Sequence, residues 1–381
     1  MLFRPLSAPN TDRRLFPLTQ FNIEGGMSRL SKVSCLGVVT IFTAGLVAVL
    51  PTPSTLVEQL YSRGIYLAAQ NVLTPLASLA PFALFDFLLG AVVIGVVVYW
   101  VTRMQGVVRG HRLRIFLITV FNTTALVAGI YLAFLLVWGL NYRREPLTTK
   151  LDYQSDQVTN QSLTELAAYS VGRLNQLHAS AHQSGWSTLE ELPSRFSQAF
   201  EQAQRGLGSS RVAVAGVPKQ TLLQPYFRRA GIDGMLSPFS LEILINDAIL
   251  PFERPYVVAH EWAHLAGFAD ESEASFVGWL TCLYGDDSSR YSAWLFLAPR
   301  VFRHLKESER SRLWTQMDET PTTDLRAVAQ RMRGAVPVVQ RNANRVYNQY
   351  LRANRVEAGI ASYGEVVDLI LGTGAWKARK R

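Results

Sequence analysis

Residues 115–140 form a run of 26 without a single charged side chain. A helix rising 1.5 Å per residue over that length crosses the roughly 30 Å hydrocarbon layer of a membrane with room to tilt. Inside lipid every backbone polar group must be satisfied within the chain, so this segment is expected to be a transmembrane helix. Two further stretches fit the same pattern. Residues 79–101 are interrupted only by Asp86 near one end and close with Tyr99 and Trp100, which suit a membrane interface. Residues 34–50 are shorter, with Lys32 before them and Pro51 and Pro53 after. A cleaved leader is the rival reading of this first stretch, but no small-residue cleavage site follows it, and an uncleaved anchor is expected.

The charges then set an orientation. The chain of 381 residues carries a net charge of +9, a value that points either to nucleic acid or to a membrane surface. Its first 142 residues hold 10 basic and 4 acidic side chains, whereas residues 143–381 hold 28 and 25. Arg4, Arg13, Arg14, Arg29 and Lys32 precede the first span, and Arg103, Arg109, Arg112 and Arg114 lie between the second and third. The intervening loop, residues 51–78, has Arg63 alone. Positive residues stay on the cytoplasmic side, so residues 1–33 are expected in the cytoplasm and everything after residue 142 outside it. Arg143 and Arg144 oppose this assignment but are outnumbered. Without a basic-aromatic patch, nucleic acid is excluded as a partner, and membrane lipids are the expected one. Two cysteines, Cys35 and Cys282, exclude a disulfide scaffold and a four-cysteine zinc site.

Residues 143–381 read mostly as helix. Ser162 and Glu165 suggest a capping box opening a helix through Leu177 that Gly185 ends. Further helices are expected at 189–205, 256–265, 272–284, 308–317, 323–332, 342–353 and 364–371. The stretch 236–246 is rich in β-branched and alternating residues and reads as a strand or extended edge segment.

One motif carries chemistry. His260-Glu261-Trp262-Ala263-His264 places two imidazoles four residues apart, on one face of a helix, where they can share a Zn2+. Glu261 then stands beside the open metal position as a general base. A third ligand is needed, and Asp270, Glu271 and Glu273 are the candidates. Asp270 completes an H-E-x-x-H-x-x-G-x-x-D pattern in which Gly267 ends the helix. Glu271 begins Glu271-Ser272-Glu273-Ala274-Ser275, which resembles the E-x-x-A-D segment of gluzincin-type membrane peptidases. That resemblance implies that Glu271 binds zinc and that the residue at Ser275, an Asp in that class, holds the first histidine.

The chain also resembles a bacterial family of uncharacterised membrane proteins, a domain of unknown function with N-terminal spans and a C-terminal H-E-x-x-H region. The matching residues are Trp138 to Tyr142, Gly234, Pro238-Phe239 and Asn246, then His260 to His264 with Gly267-Phe268. Glu271, Glu273, Ala274 and Phe276 follow, with Val346-Tyr347, Tyr350-Leu351 and Gly359 to Gly364 near the end. The family typically has Asn at Ser275 and keeps no acid at Asp270. The resemblance implies a membrane-anchored protein of three transmembrane helices followed by a mainly helical α+β zincin-like domain.

The expected function is zinc-dependent hydrolysis of peptide bonds outside the cytoplasm, on a peptide or protein substrate, at the bacterial cytoplasmic membrane. A catalytically silent, metal-stabilised scaffold of the cell envelope is the alternative. Tyr363 is a candidate oxyanion donor, with Tyr347 as its equal, and residues 236–246 could pair with an extended substrate. An intramembrane protease is disfavoured because Glu253, Arg254 and the 270–273 acids flank the motif too closely. His178 and His182 are read as a solvated helix face, Asp86 as an interfacial residue and Cys282 as a small core residue.

Overall fold

The computed structural model describes residues 23–107, 112–356, 359 and 365–377, with side chains from Cys35 onward. The architecture is mostly helical, with a small two-stranded sheet. Among the described residues, two helices are long and apolar enough to cross a membrane, Leu84–Gln105 and Arg112–Val137. The first apolar stretch belongs to the helix Ile23–Val49. Its described part, Cys35–Val49, qualifies as a span only together with Ser54–Ser78, to which it is joined at a bend of 111°. The chain therefore has two or three candidate spans. Ile23–Val49 packs on Arg112–Val137, which packs on Leu84–Val107. Asp86 stands at the start of that last helix, where its carboxylate accepts from the Thr221 hydroxyl and the Leu222 N–H.

The segment 51–78, expected as a loop, is instead the helix Ser54–Ser78, with a π-helical stretch at Val57–Ile65. Its buried face, which includes Val57, Tyr61, Leu67 and Ala77, also carries a polar row. Glu58, Ser62, Tyr66, Gln70 and Thr74, spaced four apart, are all nearly inaccessible. Tyr66 donates to Leu265 O (2.8 Å), Thr74 to Leu241 O (2.9 Å), and Gln70 exchanges bonds with Val214. Ser62 donates to Asn141 Oδ1 at 2.9 Å. The opposite face exposes Leu60, Ile65, Val72 and Leu76.

Arg143 and Arg144, whose charges oppose the expected orientation, are both structurally committed. Arg143 donates to Thr52 and to Val47 O, at the C-terminal end of the first helix, where cations are favoured. Arg144 forms a two-point bond with Glu58 (2.8 and 2.9 Å). Lys150 and Arg63 complete the shell of that carboxylate at 3.1 and 2.8 Å.

The core lies between helices. Glu271–Tyr284, buried almost from end to end, packs on Arg254–Leu265, Leu192–Gly206 and Asp287–His304. Asp287–His304, which the periodicity did not reveal, lies along Asn160–Ser184. The latter helix begins two residues before Ser162, at Asn160, with Thr159 as the N-cap of a reciprocal Thr159–Ser162 pair, and Gly185 ends it at φ 76°. The 236–246 stretch is a hairpin: β1 (Gly234–Ser237) pairs antiparallel with β2 (Glu242–Ile245). Pro238, unable to donate to a ladder, falls in the turn. Lys219 covers the other side of β2, accepting from Ile245 N and donating to Ile243 O, so β1 is the outer strand. Cys282 is buried as expected.

Glu58 is the carboxylate that three cations share, and removing it strands Arg144 and Lys150 with side chains only 10% and 11% exposed. Glu58→Gln should therefore destabilise the protein by about 3 kcal/mol, the order found when one partner of a buried pair is deleted. A thermal unfolding midpoint in detergent equal to that of the wild type would contradict this.

Candidate metal centre

The motif helix Arg254–Leu265 begins with Pro255 in its first turn and is apolar along Tyr256 to Ala259, so its packing face is fixed before the histidines are reached. Its C-terminal end is fixed by four acceptors. Trp138 Nε1 donates to His264 O (3.0 Å), Tyr66 to Leu265 O, and Arg144 Nη1 to Ala266 O (3.3 Å) and Gly267 O (2.8 Å). Gly267 takes φ 79° and turns the chain, as expected. The acidic helix Glu271–Tyr284 then runs back against the motif helix at close range. A Cβ on Gly278 would stand 2.9 Å from the backbone N of His260.

This approach brings Glu271 to the two histidines. Its Oε2 lies 3.3 Å from His260 Nε2 and 3.6 Å from His264 Nε2. The three ligand atoms fall within 4.8 Å of one another. Of the three acids considered, only Glu271 is brought there. Asp270 is the N-cap of the acidic helix, accepting from Ser272 N and Glu273 N. Glu273 faces the segment after the third apolar helix and accepts from Leu147 N at 2.6 Å. Burial pushes its carboxyl up to about 7.

The remaining atoms orient the ligands. His264 Nδ1 lies 2.8 Å from Phe268 O, an arrangement in which the Nδ1–H donates and leaves the Nε2 lone pair for a metal. Ser275 Oγ lies 3.5 Å from His260 Nδ1, at the position where the gluzincin pattern has its Asp. Tyr347, on the helix Pro337–Ala353, donates to Glu271 Oε1 rather than standing free as an oxyanion donor. Tyr363 lies outside the described residues. Glu261 packs against the outer strand, where a Cβ on Gly234 would stand 2.7 Å from its Oε1.

Electrostatics follow from burial and proximity. Burial alone would raise Glu271, but the two histidines hold it below the ordinary carboxylate range. Burial alone would lower His264, yet the Glu271 carboxylate raises it to about 9. Glu261, without such a partner, is pushed by burial up to about 8. Glu261 Oε2 is buried with no hydrogen-bond partner, and Glu271 Oε2 has before it only the two imidazoles, at 3.3 and 3.6 Å. An unsatisfied buried carboxylate oxygen is costly. Glu271 Oε2 is also the atom that faces both imidazoles, so a cation there satisfies it. Two imidazole nitrogens and one carboxylate oxygen form a donor set that suits zinc with a position left open.

Sequence reasoning did not assign Trp138 or the Phe268 carbonyl. Trp138 was visible only as part of the Trp138 to Tyr142 stretch, and a main-chain acceptor leaves no mark in side-chain spacing.

If these three residues hold a metal, His264→Ala should lose one equivalent of zinc per chain relative to the wild type, measured by elemental analysis of protein purified in detergent. Equal contents would remove the centre.

A comparison with curated proteins finds no match, and neither does one with solved structures. Residues 61–371 match the model of a family described as a protein of unknown function, DUF3810. That match covers the helix Ser54–Ser78 from Tyr61 onward, the two long apolar helices and the centre, and the chain belongs to the DUF3810 family.

Proposed function

We propose that the protein is a membrane-bound, zinc-dependent peptidase of zincin-like build, with its centre outside the cytoplasm at the bacterial cytoplasmic membrane. The observation that carries this reading is the convergence of His260, His264 and Glu271 on one point, with the carboxylate of Glu261 next in sequence. His260, His264 and Glu271 would hold the metal. A zinc ion supplies Lewis acidity, polarising a water molecule or a carbonyl oxygen.

The chain's own residues would do the rest. In its ionised form Glu261 would take the proton of the attacking water through Oε2, which has no hydrogen-bond partner, and a cation held by the neighbouring ligands would favour that form against the burial that raises the carboxyl. As the C–N bond breaks, the same carboxyl returns a proton to the leaving amine. The outer strand β1 lies against Glu261 and could take an extended peptide along its free edge. The orientation rests on the distribution of Lys and Arg along the sequence, in which Arg143 and Arg144 are the minority that opposes it.

The catalytically silent scaffold is favoured by one observation: the ligand side chains are only 12%, 9% and 1% exposed. Glu261→Gln separates the two readings, because it keeps the metal ligands and removes the base. Incubated with a mixed peptide library and read by mass spectrometry, the zinc-loaded wild type should generate new termini. Glu261→Gln should do so about 10²–10⁴-fold more slowly at unchanged zinc content. Equal cleavage by both would overturn the role of Glu261. A Glu261→Gln chain that fully replaces the wild type in cells lacking the gene would favour the scaffold.

A further inference from the structure

Among the described residues a second set of side chains meets the geometry of a metal site: His178, His182 and Asp324. The sequence places the two histidines one turn apart on Asn160–Ser184, a face expected to be solvated. The structure instead sets Asp324, from Glu319–Arg333, against both of them. Asp324 Oδ2 lies 3.5 Å from His178 Nε2 and 2.8 Å from His182 Nε2. The two imidazole rings are stacked, with centroids 4.1 Å apart and 26° between planes. Tyr291, from a third helix, donates to the same Oδ2 at 2.6 Å.

We propose that His178, His182 and Asp324 form a second divalent-cation site, of which zinc is the first candidate occupant. Three features favour a cation over a purely hydrogen-bonded cluster. Two Nε2 atoms face one carboxylate oxygen whose other side is held by the Tyr291 hydroxyl, so three ligand atoms are presented to a common point. Stacked rings at this distance cannot both be imidazolium cations without repulsion, whereas two neutral rings can turn their Nε2 lone pairs to a cation beside the carboxylate. With bonds of about 2.0–2.1 Å, tetrahedral zinc sets its ligand atoms about 3.3 Å apart, close to the separations present. Tyr291 then serves as the outer hydrogen bond that orients a liganding carboxylate. The His182 side chain is 35% exposed and gives the ion a way in, while Asp324 is nearly buried.

Such an ion would staple Glu319–Arg333 to Asn160–Ser184. That helix carries Arg331 in its last turn, which bonds Glu253 (2.6 and 2.8 Å) and Asp233 (2.8 Å). Glu253 precedes the motif helix and Asp233 precedes β1. The second site therefore steadies the two elements that flank Glu261, without contributing a ligand to the first centre.

The test uses the full chain in detergent, stripped with a chelator and reloaded with Zn2+, with metal content and thermal unfolding as readouts. The wild type should hold two equivalents and His264→Ala one. In the His264→Ala background, added Zn2+ should still raise the unfolding midpoint, and adding H178A and H182A should abolish both the remaining equivalent and that rise. Asp324→Asn keeps a side chain that can hydrogen-bond to Tyr291 and provides a milder variant should the histidine changes impair folding. It should also lose one equivalent. An H178A/H182A chain that loads as much zinc as the wild type overturns the proposal, as does a His264→Ala chain that loads none. A wild type with one equivalent, lost on H178A/H182A but not on His264→Ala, would instead retain this site and remove the first.

Discussion

A helix leaves its last carbonyl groups without partners, and a helix end buried in a protein must find donors for them. Here the end in question carries His264. Its acceptors are met by the Trp138 indole, the Tyr66 hydroxyl and the Arg144 guanidinium, side chains from the exit of the third apolar helix and from Ser54–Ser78. The position of the second histidine is thus set by groups that belong, in chain order, to the membrane region. Gly267 turns the chain at that clamp, Asp270 caps the next helix, and only then does Glu271 arrive opposite the imidazoles. Each step presupposes the one before it.

Buried charge follows the same plan of joining distant segments. Lys219 and Glu242 form a pair with side chains 4% and 2% exposed, and Glu242 also accepts from Leu84 N and Phe85 N at the start of the second apolar helix. Glu58 gathers Arg63, Arg144 and Lys150. Charges so placed are costly unless every partner is present, which makes them register marks more than sources of stability. They define how the sheet, the motif helix and the apolar helices must meet.

How much of this was legible in the sequence depends on whether the period or the partner carries the information. The two long apolar helices and most helices of the C-terminal part followed from length and periodicity. The pair His260 and His264 was legible because two ligands four apart on one helix are fixed locally. The choice among Asp270, Glu271 and Glu273 was not, since it depends on where one helix begins and how closely Gly278 lets it approach. Asp287–His304 escaped notice because it is buried on most sides and holds Pro299 within it, so neither a polar face nor an uninterrupted run marks it. Asp324 lies far from His178 in sequence, and no local pattern announces that they meet. Ser54–Ser78 is obscure for a different reason: apolar residues lie on both faces, Val57 and Leu67 buried but Leu60, Ile65, Val72 and Leu76 exposed, while a polar row at every fourth position faces inward.

That polar row leaves no seam between the C-terminal part and the helices before it. A chain severed after the third apolar helix would retain Arg144 and Lys150 with no Glu58 to meet them. The carbonyls of Leu241 and Leu265 would lose their hydroxyl donors. A fragment starting at residue 143 would therefore be an unfinished fold and a poor stand-in for the protein.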